Sequence, residues 1–209
     1  MPALSNAVAQ PCRQAWNVIQ FRRGLDGRSI PPVRVPGEKT RNDRSAFLSI
    51  LANILADKTP GRRVRAMFCD SAYGAPYVEL LKRMGYENVH EVNFGETLTP
   101  DEQHCANMRA YMWKQSKDWL LYGGIPNEPR LESDATGPGH HLDKKDRLVL
   151  ESKESMADRG VHSPDDWDAF ALTFAAPVAP KKGSGEKKKP RKPRFTGRGP
   201  SGGGLTWTH

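Results

Sequence analysis

Apolar residues repeat with the period of an α-helix most clearly near residue 170. Four of them share the spacing i, i+3, i+4, i+7 and would form one buried face: Trp167, Phe170, Ala171 and Phe174. Ser163 is placed to cap this helix and Pro164 to open it, while Asp166 follows Ser163 at the spacing of a capping box. The pattern therefore predicts a helix that begins at Ser-Pro-Asp and has an acidic first turn.

The other apolar positions predict alternating strands and helices. Short apolar runs between turn signals predict strands over residues 17–23, 33–35, 64–69, 88–93 and 147–151. Helical spacing predicts helices over residues 44–57 (capped by Asn42 or Asp43), 76–84, 104–122 and 152–159. The segments interpreted as loops are residues 71–74 and 125–141, the second with a short element at 129–132. A hairpin followed by alternating elements predicts an α/β domain with a mixed sheet flanked by helices.

Composition divides the chain into three parts. Residues 1–15 show no sustained period, residues 16–176 contain the predicted domain, and residues 177–209 are rich in Lys, Pro, Gly and Ser. The last part has nine Lys or Arg residues and one acid, so it accounts for the whole net charge of +8. Because such a sequence can bury little apolar surface, we expect a disordered basic tail.

The number of cysteines and the hydropathy of the chain indicate the cellular compartment in which the protein is expected. Cys12, Cys69 and Cys105 are few, odd in number and widely spaced, which suits a reducing compartment and gives neither a zinc knuckle nor a disulfide framework. No apolar run approaches 18 residues and no signal peptide is evident, so we expect a soluble, intracellular protein without a membrane partner.

Three acids are the strongest candidates for chemistry. Asp70 follows the predicted strand 64–69, and chemistry in α/β sheets lies beyond the carboxyl ends of strands. Asp165 and Asp168 are i, i+3 neighbours at the edge of the apolar face of the last helix. A carboxylate there is costly unless its charge is compensated, and Mg²⁺ or Mn²⁺ prefers such oxygens. The alternative is that these acids only interact with the helix dipole.

If these acids converge, they would suit a two-metal site that hydrolyses phosphodiesters. Two ions about 3.5–4 Å apart activate a water and stabilise the leaving oxygen, so no side-chain base is required. His140, His141 and His162 are further candidate ligands or proton carriers, although a solvated loop histidine is the simpler interpretation. Lys153 opens a helix after a strand, where it would contact phosphate or be an ordinary surface lysine. No Walker A sequence occurs, so ATP hydrolysis is not supported.

Three segments resemble the nuclease domain of tailed-phage terminase large subunits. They are Asp70-Ser-Ala-Tyr-Gly before a helix, the segment from Asn107 to Gly123-Gly-Ile-Pro, and Leu150-Glu-Ser-Lys followed by Arg159-Gly-Val-His-Ser-Pro-Asp-Asp-Trp-Asp-Ala-Phe-Ala-Leu-Thr-Phe. The last is the most specific, and the resemblance covers about residues 17–176. It implies an RNase H-like fold that cuts concatemeric viral DNA with Mg²⁺ or Mn²⁺ during packaging.

The resemblance also implies roles for individual residues and partners. Asp70 matches the family's second metal-binding acid, and Asp168 with Asp165 matches its third site. The implied partners are double-stranded DNA, a terminase small subunit, a portal and a separate ATPase domain, in the cytoplasm of a bacterial host that carries a phage or prophage. The family's ATPase motor precedes the nuclease and is not in this sequence, which favours a fragment or split product.

One departure from the family concerns the first catalytic acid. That acid precedes the strand predicted at 17–23, and no Asp or Glu occurs there in this sequence. Asn6 or Ala7 stands near its place, while Asp26 lies in a turn. Because a bridging carboxylate is absent from the two-metal site, we expect metal affinity to fall and cleavage to slow by orders of magnitude. The chain is therefore predicted to be a weak nuclease or none.

Two other interpretations stay open. The chain could be another RNase H-like nuclease of the resolvase or transposase type, or a non-catalytic DNA-binding or assembly module; a separation well beyond 10 Å between Asp70 and Asp168 would favour the module. The tail suits non-specific phosphate contact, with a solubilising extension as the alternative. The candidate DNA-binding residues are Lys153, Lys187, Lys188, Lys189, Arg191 and Arg194.

Overall fold

The computed structural model describes residues 15–98 and 104–178. The strands are β1 (Trp16–Ile19), β2 (Val33–Pro36), β3 (Met67–Asp70), β4 (Val89–Val92), β5 (His140–Leu142) and β6 (Leu148–Leu150). The helices are α1 (Gly37–Asn42), α2 (Arg44–Ala56), α3 (Ser71–Arg83), α4 (Met108–Trp119), α5 (Pro129–Thr136), α6 (Lys153–Asp158) and α7 (Asp165–Leu172). No helix in the described part of the chain is long and apolar enough to cross a membrane.

The described strands form three sheets of two strands each. The β1–β2 pair is antiparallel, with Asn17 opposite Val35, and the β3–β4 pair is parallel, with Met67 opposite Val89. The β5–β6 pair is an antiparallel hairpin. The predicted α/β class, initial hairpin and flanking helices are confirmed. The parallel and antiparallel pairs lie in separate small sheets rather than in one continuous mixed sheet.

Side chains on β3 and β4 alternate between two hydrophobic clusters. Met67 and Val89 belong to the first cluster, which they share with α2 and α3. Phe68 and Val92 belong to the second cluster, which is built mainly from α4, α5 and α7. The β3–β4 pair is therefore covered on both faces, as expected for parallel strands. The predicted apolar face of α7 is buried in the second cluster.

Helix α3 begins directly at the end of β3, so the prediction of a loop over residues 71–74 was wrong. Asp70 is the N-cap of α3, and its Oδ1 accepts a hydrogen bond from the Ala72 amide at 3.2 Å. Pro76 lies inside the helix rather than at its start. The Asp70 cap supports the earlier start, because it provides an acceptor for an amide of the first turn.

The N-terminus of α7 also differs from the prediction. Pro164 occupies the N-cap position without a side-chain cap, and Ser163 Oγ instead donates to Asp165 Oδ1 at 2.6 Å. The Asp166 amide donates to Asp134 Oδ2 of α5 at 2.8 Å. The predicted capping box was wrong because Asp166 is completely buried and pairs with arginines. The cap of α7 comes from another helix, which sequence spacing cannot reveal.

Other boundaries changed where neighbouring elements supply pairing or caps. Residues 140–142 form β5 because they pair with β6, although His140 and His141 lay in a predicted loop. The helix predicted from residue 104 starts at Met108, where Asn107 Oδ1 caps the Ala110 amide at 3.0 Å. The short element predicted at 129–132 is the longer helix α5, and α1 was not predicted. All predicted strands other than the second are shorter in the structure.

Candidate functional site at the end of strand β3

Asp70 is fixed where β3 passes into α3. Its carboxylate caps α3, and its side chain is half-buried. Helix α3 packs closely on the strand because Gly74 has no side chain: a Cβ there would lie 2.8 Å from the Cβ of Cys69. The position of Asp70 is therefore set by both the strand and the helix that follows it.

Asp168 lies at the centre of the site and is 5% exposed. Its Oδ1 accepts hydrogen bonds from Arg109 Nε at 3.0 Å and from Trp113 Nε1 at 2.8 Å, both on α4. Its Oδ2 lies 3.0 Å from Lys153 Nζ, at the start of α6. Both oxygens of this buried carboxylate therefore have cationic partners, which offset the cost of burying its charge.

Asp165 lies one turn earlier on α7 and faces the start of β1. Its Oδ2 accepts a hydrogen bond from the Trp16 amide at 3.1 Å. Its Oδ1 accepts the hydrogen bond from Ser163 and lies 3.7 Å from Lys153 Nζ. Asp165 therefore connects the hairpin strand to the acidic end of α7.

Lys153 bridges the two acids of α7. Burial alone would lower the pKa of its ammonium, but Asp168 and Asp165 outweigh that effect and the pKa is raised. The side chain remains 43% exposed, so the ammonium can reach solvent or a ligand. Arg109 strengthens the arrangement by donating from Nη1 to the Glu151 carbonyl at 3.0 Å, which joins α4 to the end of β6.

Asp70 lies close enough to these groups to respond to their charges. Burial raises the pKa of its carboxyl, and the Ala72 amide and Lys153 oppose that rise. The charge of Asp168 raises the pKa further, although Asp168 is 98 residues away in the sequence. Helix α7 packs beside β3, so the end of β3 and the start of α7 lie at one place in the molecule. Asp70 therefore lies near Asp168 and Lys153, and Lys153 is also paired with Asp165.

A second network of ion pairs, centred on Asp166, connects α7 to neighbouring elements. Asp166 is completely buried; its Oδ1 lies 2.5 Å from Arg34 Nε of β2, and its Oδ2 lies 2.7 Å from Arg130 Nε of α5. Arg34 also contacts Glu128 at 2.5 Å. The Arg130 contact is an ion pair, and Asp166 Oδ2 accepts no hydrogen bond within the described residues. Asp166 therefore fastens α7 to β2 and α5 and does not face the site.

The described residues do not complete a two-metal site. No group of three or more His, Cys, Asp or Glu side chains in the described part of the chain is arranged to hold a metal ion. Both oxygens of Asp168 are engaged by Arg109, Trp113 and Lys153, so internal cations already balance its charge. A bound Mg²⁺ or Mn²⁺ would have to compete with Lys153 for the carboxylates of α7.

The other predicted residues lie apart from the three acids or outside the described ranges. His140 and His141 lie on the exposed strand β5, and His162 is in the loop before α7. Within residues 15–98 and 104–178, no hydrogen bond or ion pair joins the side chains of these histidines to the three acids. The tail residues proposed for DNA contact lie outside the described part of the chain: Lys187, Lys188, Lys189, Arg191 and Arg194.

The sequence analysis did not identify the side chains that pair with the carboxylates of the acids. Arg109 and Trp113 belong to the second segment that resembles terminases, but no spacing rule linked them to Asp168. Their shared position on one face of α4, four residues apart, was the available signal. Arg34 and Arg130 carried no signal of their own, since arginines are common on hairpins and helix starts.

Comparison with known proteins supports the fold. No protein-family model matches the chain, and no curated protein matches it. A lysine-to-alanine mutant of gp2C, from the large terminase subunit of bacteriophage Sf6 and with calcium, is 15% identical with a TM-score of 0.53, over 75% of this chain and 80% of that one. The corresponding mutant nuclease domain with manganese is 14% identical with a TM-score of 0.52, over 75% and 81%.

The nuclease domain of the Sf6 large terminase subunit gp2 is 15% identical with a TM-score of 0.51, over 75% of this chain and 80% of that one. The chain therefore has an RNase H-like α/β fold. More particularly, it has the fold of a phage terminase nuclease domain, as the sequence predicted.

Proposed function

We propose that this chain is the endonuclease domain of a phage DNA-packaging terminase and that its own cleavage activity is impaired. The proposal is supported by the nearness of Asp70 to Asp168 and to Lys153, which also pairs with Asp165, on a fold shared with the Sf6 nuclease domain. Acids from two distant elements at one end of β3 are the arrangement expected for phosphodiester hydrolysis. The substrate is double-stranded DNA.

The side chains of this site have separable roles. Arg109 and Trp113 fix the Asp168 carboxylate, because both donate to its Oδ1. Lys153 neutralises part of the charge of Asp165 and Asp168 and remains partly exposed. An exposed ammonium beside the acids reduces the repulsion that a DNA phosphate would meet there. These residues would position the phosphodiester at the Asp70 end of the site.

We expect DNA cleavage to be impaired because the site offers few ligands for a metal ion. Mg²⁺ or Mn²⁺ is the expected cation for this fold family, and the Sf6 domains are described with manganese and calcium. In the described part of this chain, no three His, Cys, Asp or Glu side chains are arranged to bind a metal ion. The carboxylate of Asp168 is instead paired with Arg109 and Lys153. We therefore expect cation binding to be weak and cleavage slow.

A plasmid assay tests the proposal. The chain is incubated with supercoiled DNA and Mn²⁺ or Mg²⁺, beside Asp70→Ala and the matched exposed-acid control Glu79→Gln. We expect slow nicking that needs the cation, that Asp70→Ala reduces at least tenfold, and that Glu79→Gln leaves unchanged. A nuclease contaminant would be insensitive to Asp70→Ala.

Two results would contradict the proposal in different ways. Cleavage as fast as that of an intact terminase nuclease, abolished by Asp70→Ala, would show that the site is not impaired. Failure to bind or cleave DNA under any cation condition would remove the nuclease assignment itself.

A second candidate function is non-catalytic DNA binding within a packaging assembly. The full pairing of Asp168 with Arg109, Trp113 and Lys153 favours it, because such a carboxylate needs no metal. The partners would be a small subunit, a portal and a separate ATPase domain in the host cytoplasm. Cation-independent DNA binding without cleavage by the wild type would support this candidate over the first.

A further inference from the structure

Three large apolar side chains are exposed where helix α4 ends. Leu121 and Tyr122 directly follow the helix and are 75% and 79% exposed, and Leu25, between β1 and β2, is 57% exposed. The Gly124 amide donates to the Leu25 carbonyl at 3.0 Å, so the two segments lie against each other. We call Leu25, Leu121 and Tyr122 the apolar patch. Single exposed apolar residues are common, but several on adjoining segments are typical of an interaction site.

The backbone that carries the apolar patch is held in place from below. The Gly27 amide donates to the Gly124 carbonyl at 2.9 Å, and Trp119 Nε1 donates to the Gly24 carbonyl at 2.9 Å. The Trp119 ring packs edge-on against Phe170 of α7, with 5.4 Å between the ring centroids. The patch is therefore part of the packed domain, and a partner would not have to order this backbone on binding.

Basic residues are concentrated around the apolar patch. Residues 22–29 and 57–65 together contain seven Lys or Arg residues and two acids, a net charge of +5. Arg23 Nη1 donates to the Gly61 carbonyl at 3.3 Å, so these two segments lie side by side. The charge is local, because residues 1–176 as a whole carry no net charge.

The acids in these segments do not cancel the positive charge. Each of the two forms an ion pair with an arginine of its own segment: Asp26 with Arg23 at 3.3 Å and Asp57 with Arg62 at 3.0 Å. Arg28 is exposed and lies over the backbone beside the patch, since a Cβ on Gly124 would be 2.7 Å from its Cζ. The apolar patch is therefore bordered by an excess of cations.

The apolar patch lies at the far end of the domain from the acids. Helix α4 begins near the acids, where Arg109 donates to Asp168, and its 12 residues rise about 18 Å toward the patch. Strand β1 likewise begins with Trp16 bonded to Asp165 and leads toward the turn that contains Leu25. A partner bound at the patch would leave the acids accessible.

We propose that the apolar patch and its bordering arginines form a docking surface for a protein segment that presents apolar side chains flanked by Asp or Glu. An apolar centre with a charged rim is the usual anatomy of a protein interface, and Tyr and Arg are enriched among the residues that dominate binding. Complementary charge supplies the specificity. The proposal is independent of the nuclease proposal, because it concerns the opposite end of the domain.

Charge and chemistry argue against other occupants of this surface. A second copy of the chain, bound through the same patch, would bring like charges together. The basic segment 177–209 has the same sign as the rim. A DNA backbone would pair with the arginines but would leave the leucines at the centre without apolar partners.

Two matched peptides test the proposal on the 209-residue chain. Both are amphipathic helices of about 18 residues with leucines on one face, flanked by Glu in one peptide and by Lys in the other. In an NMR titration we expect the Glu peptide to shift the amides of Leu25, Leu121 and Tyr122 and to bind more weakly as salt is raised. The Lys peptide should bind at least about tenfold more weakly.

Substitutions test the apolar and the charged parts of the surface separately. Leu121→Ser combined with Tyr122→Ser should weaken binding of the Glu peptide about tenfold. Arg28→Gln combined with Arg63→Gln should weaken binding and reduce its salt dependence. Leu142→Ser removes an exposed leucine of β5 and is the matched control, which should leave binding unchanged. All five side chains are exposed, so we expect these variants to fold.

Several results would overturn the proposal. One is the lack of shifts at the patch amides with the Glu peptide at about 1 mM, and another is equal affinity for the two peptides. A dT oligonucleotide that binds the same amides more tightly than the Glu peptide would make the surface a nucleic-acid site. Shifts at these amides that follow the concentration of the chain alone would make it a contact between copies.

Discussion

Asp168 shows how a single buried charge is accommodated. The sequence indicated that a carboxylate beside the apolar face of α7 needs a compensating charge, and it favoured a metal ion. In the structure the compensation comes from Arg109 and Lys153, with Trp113 as a neutral donor. The physical requirement was identified correctly, but a cation of the protein satisfies it as well as a metal ion does.

Removing Arg109 tests this interpretation. Arg109→Ala leaves Asp168 buried with only one cation, so we expect unfolding in urea to show a loss of roughly 3–5 kcal/mol. Arg83→Ala, which breaks an exposed pair with Glu79, is the control and should change stability by less than about 1 kcal/mol. A loss below about 1 kcal/mol for Arg109→Ala would mean that the Asp168 charge is compensated without it.

At the scale of the elements, most helices and strands could be predicted, whereas their starts often could not. The apolar stripes of α2 and α7 and the apolar run of β3 were read directly from residue spacing. The start of α3 was missed although its cap, Asp70, directly precedes it, because the residue was assigned to the end of a strand. The cap of α7 was missed because it is Asp134 on another helix, and a distant cap leaves no local pattern.

The packing of α5 against α7 makes stability depend on pH. Burial of Asp134 raises the pKa of its carboxyl to about 6; Asp166 and Asp165 add to the rise, while the Asp166 amide and Arg130 oppose it. Because the folded chain binds this proton more tightly than the unfolded chain, the contribution is complete below about pH 4 and is lost as the pH rises through about 6.

Asp134→Asn should remove this dependence while keeping an oxygen that can cap α7. The free energy of unfolding of the wild type should fall between about pH 4 and pH 7 by on the order of 3 kcal/mol more than that of the variant. Urea titrations at several pH values measure this difference. Glu132→Gln, an exposed acid on the same helix, is the control. Equal pH slopes for wild type and Asp134→Asn would contradict the prediction.

At the scale of the whole molecule, charge is divided between residues 1–176 and the tail. The domain is nearly neutral, and the net charge of +8 belongs to residues 177–209. Because residues 1–176 carry no net charge, attraction to phosphate is expected to come from the tail. This division predicts that DNA affinity and the chemistry of the site can be altered separately.

Truncation of the tail tests that division. A chain ending at Ala176 should bind duplex DNA more weakly at low salt, and the slope of log K against log salt should become shallower by about 0.9 for each DNA phosphate that the tail neutralises. The 209-residue chain with its nine tail Lys and Arg residues replaced by Gln separates charge from length and should behave like the truncated chain. Unchanged affinity at low salt would remove the proposed DNA role of the tail.

The sequence by itself determined the class of fold, the apolar faces, the basic tail and the three acids, because these depend on residue type and local spacing. The tertiary structure decided what surrounds each acid: Arg109 and Lys153 at Asp168, Arg34 and Arg130 at Asp166. It also decided that Leu25 lies beside Leu121 and Tyr122. These outcomes depend on interactions between residues far apart in the chain, and no local pattern encodes such interactions.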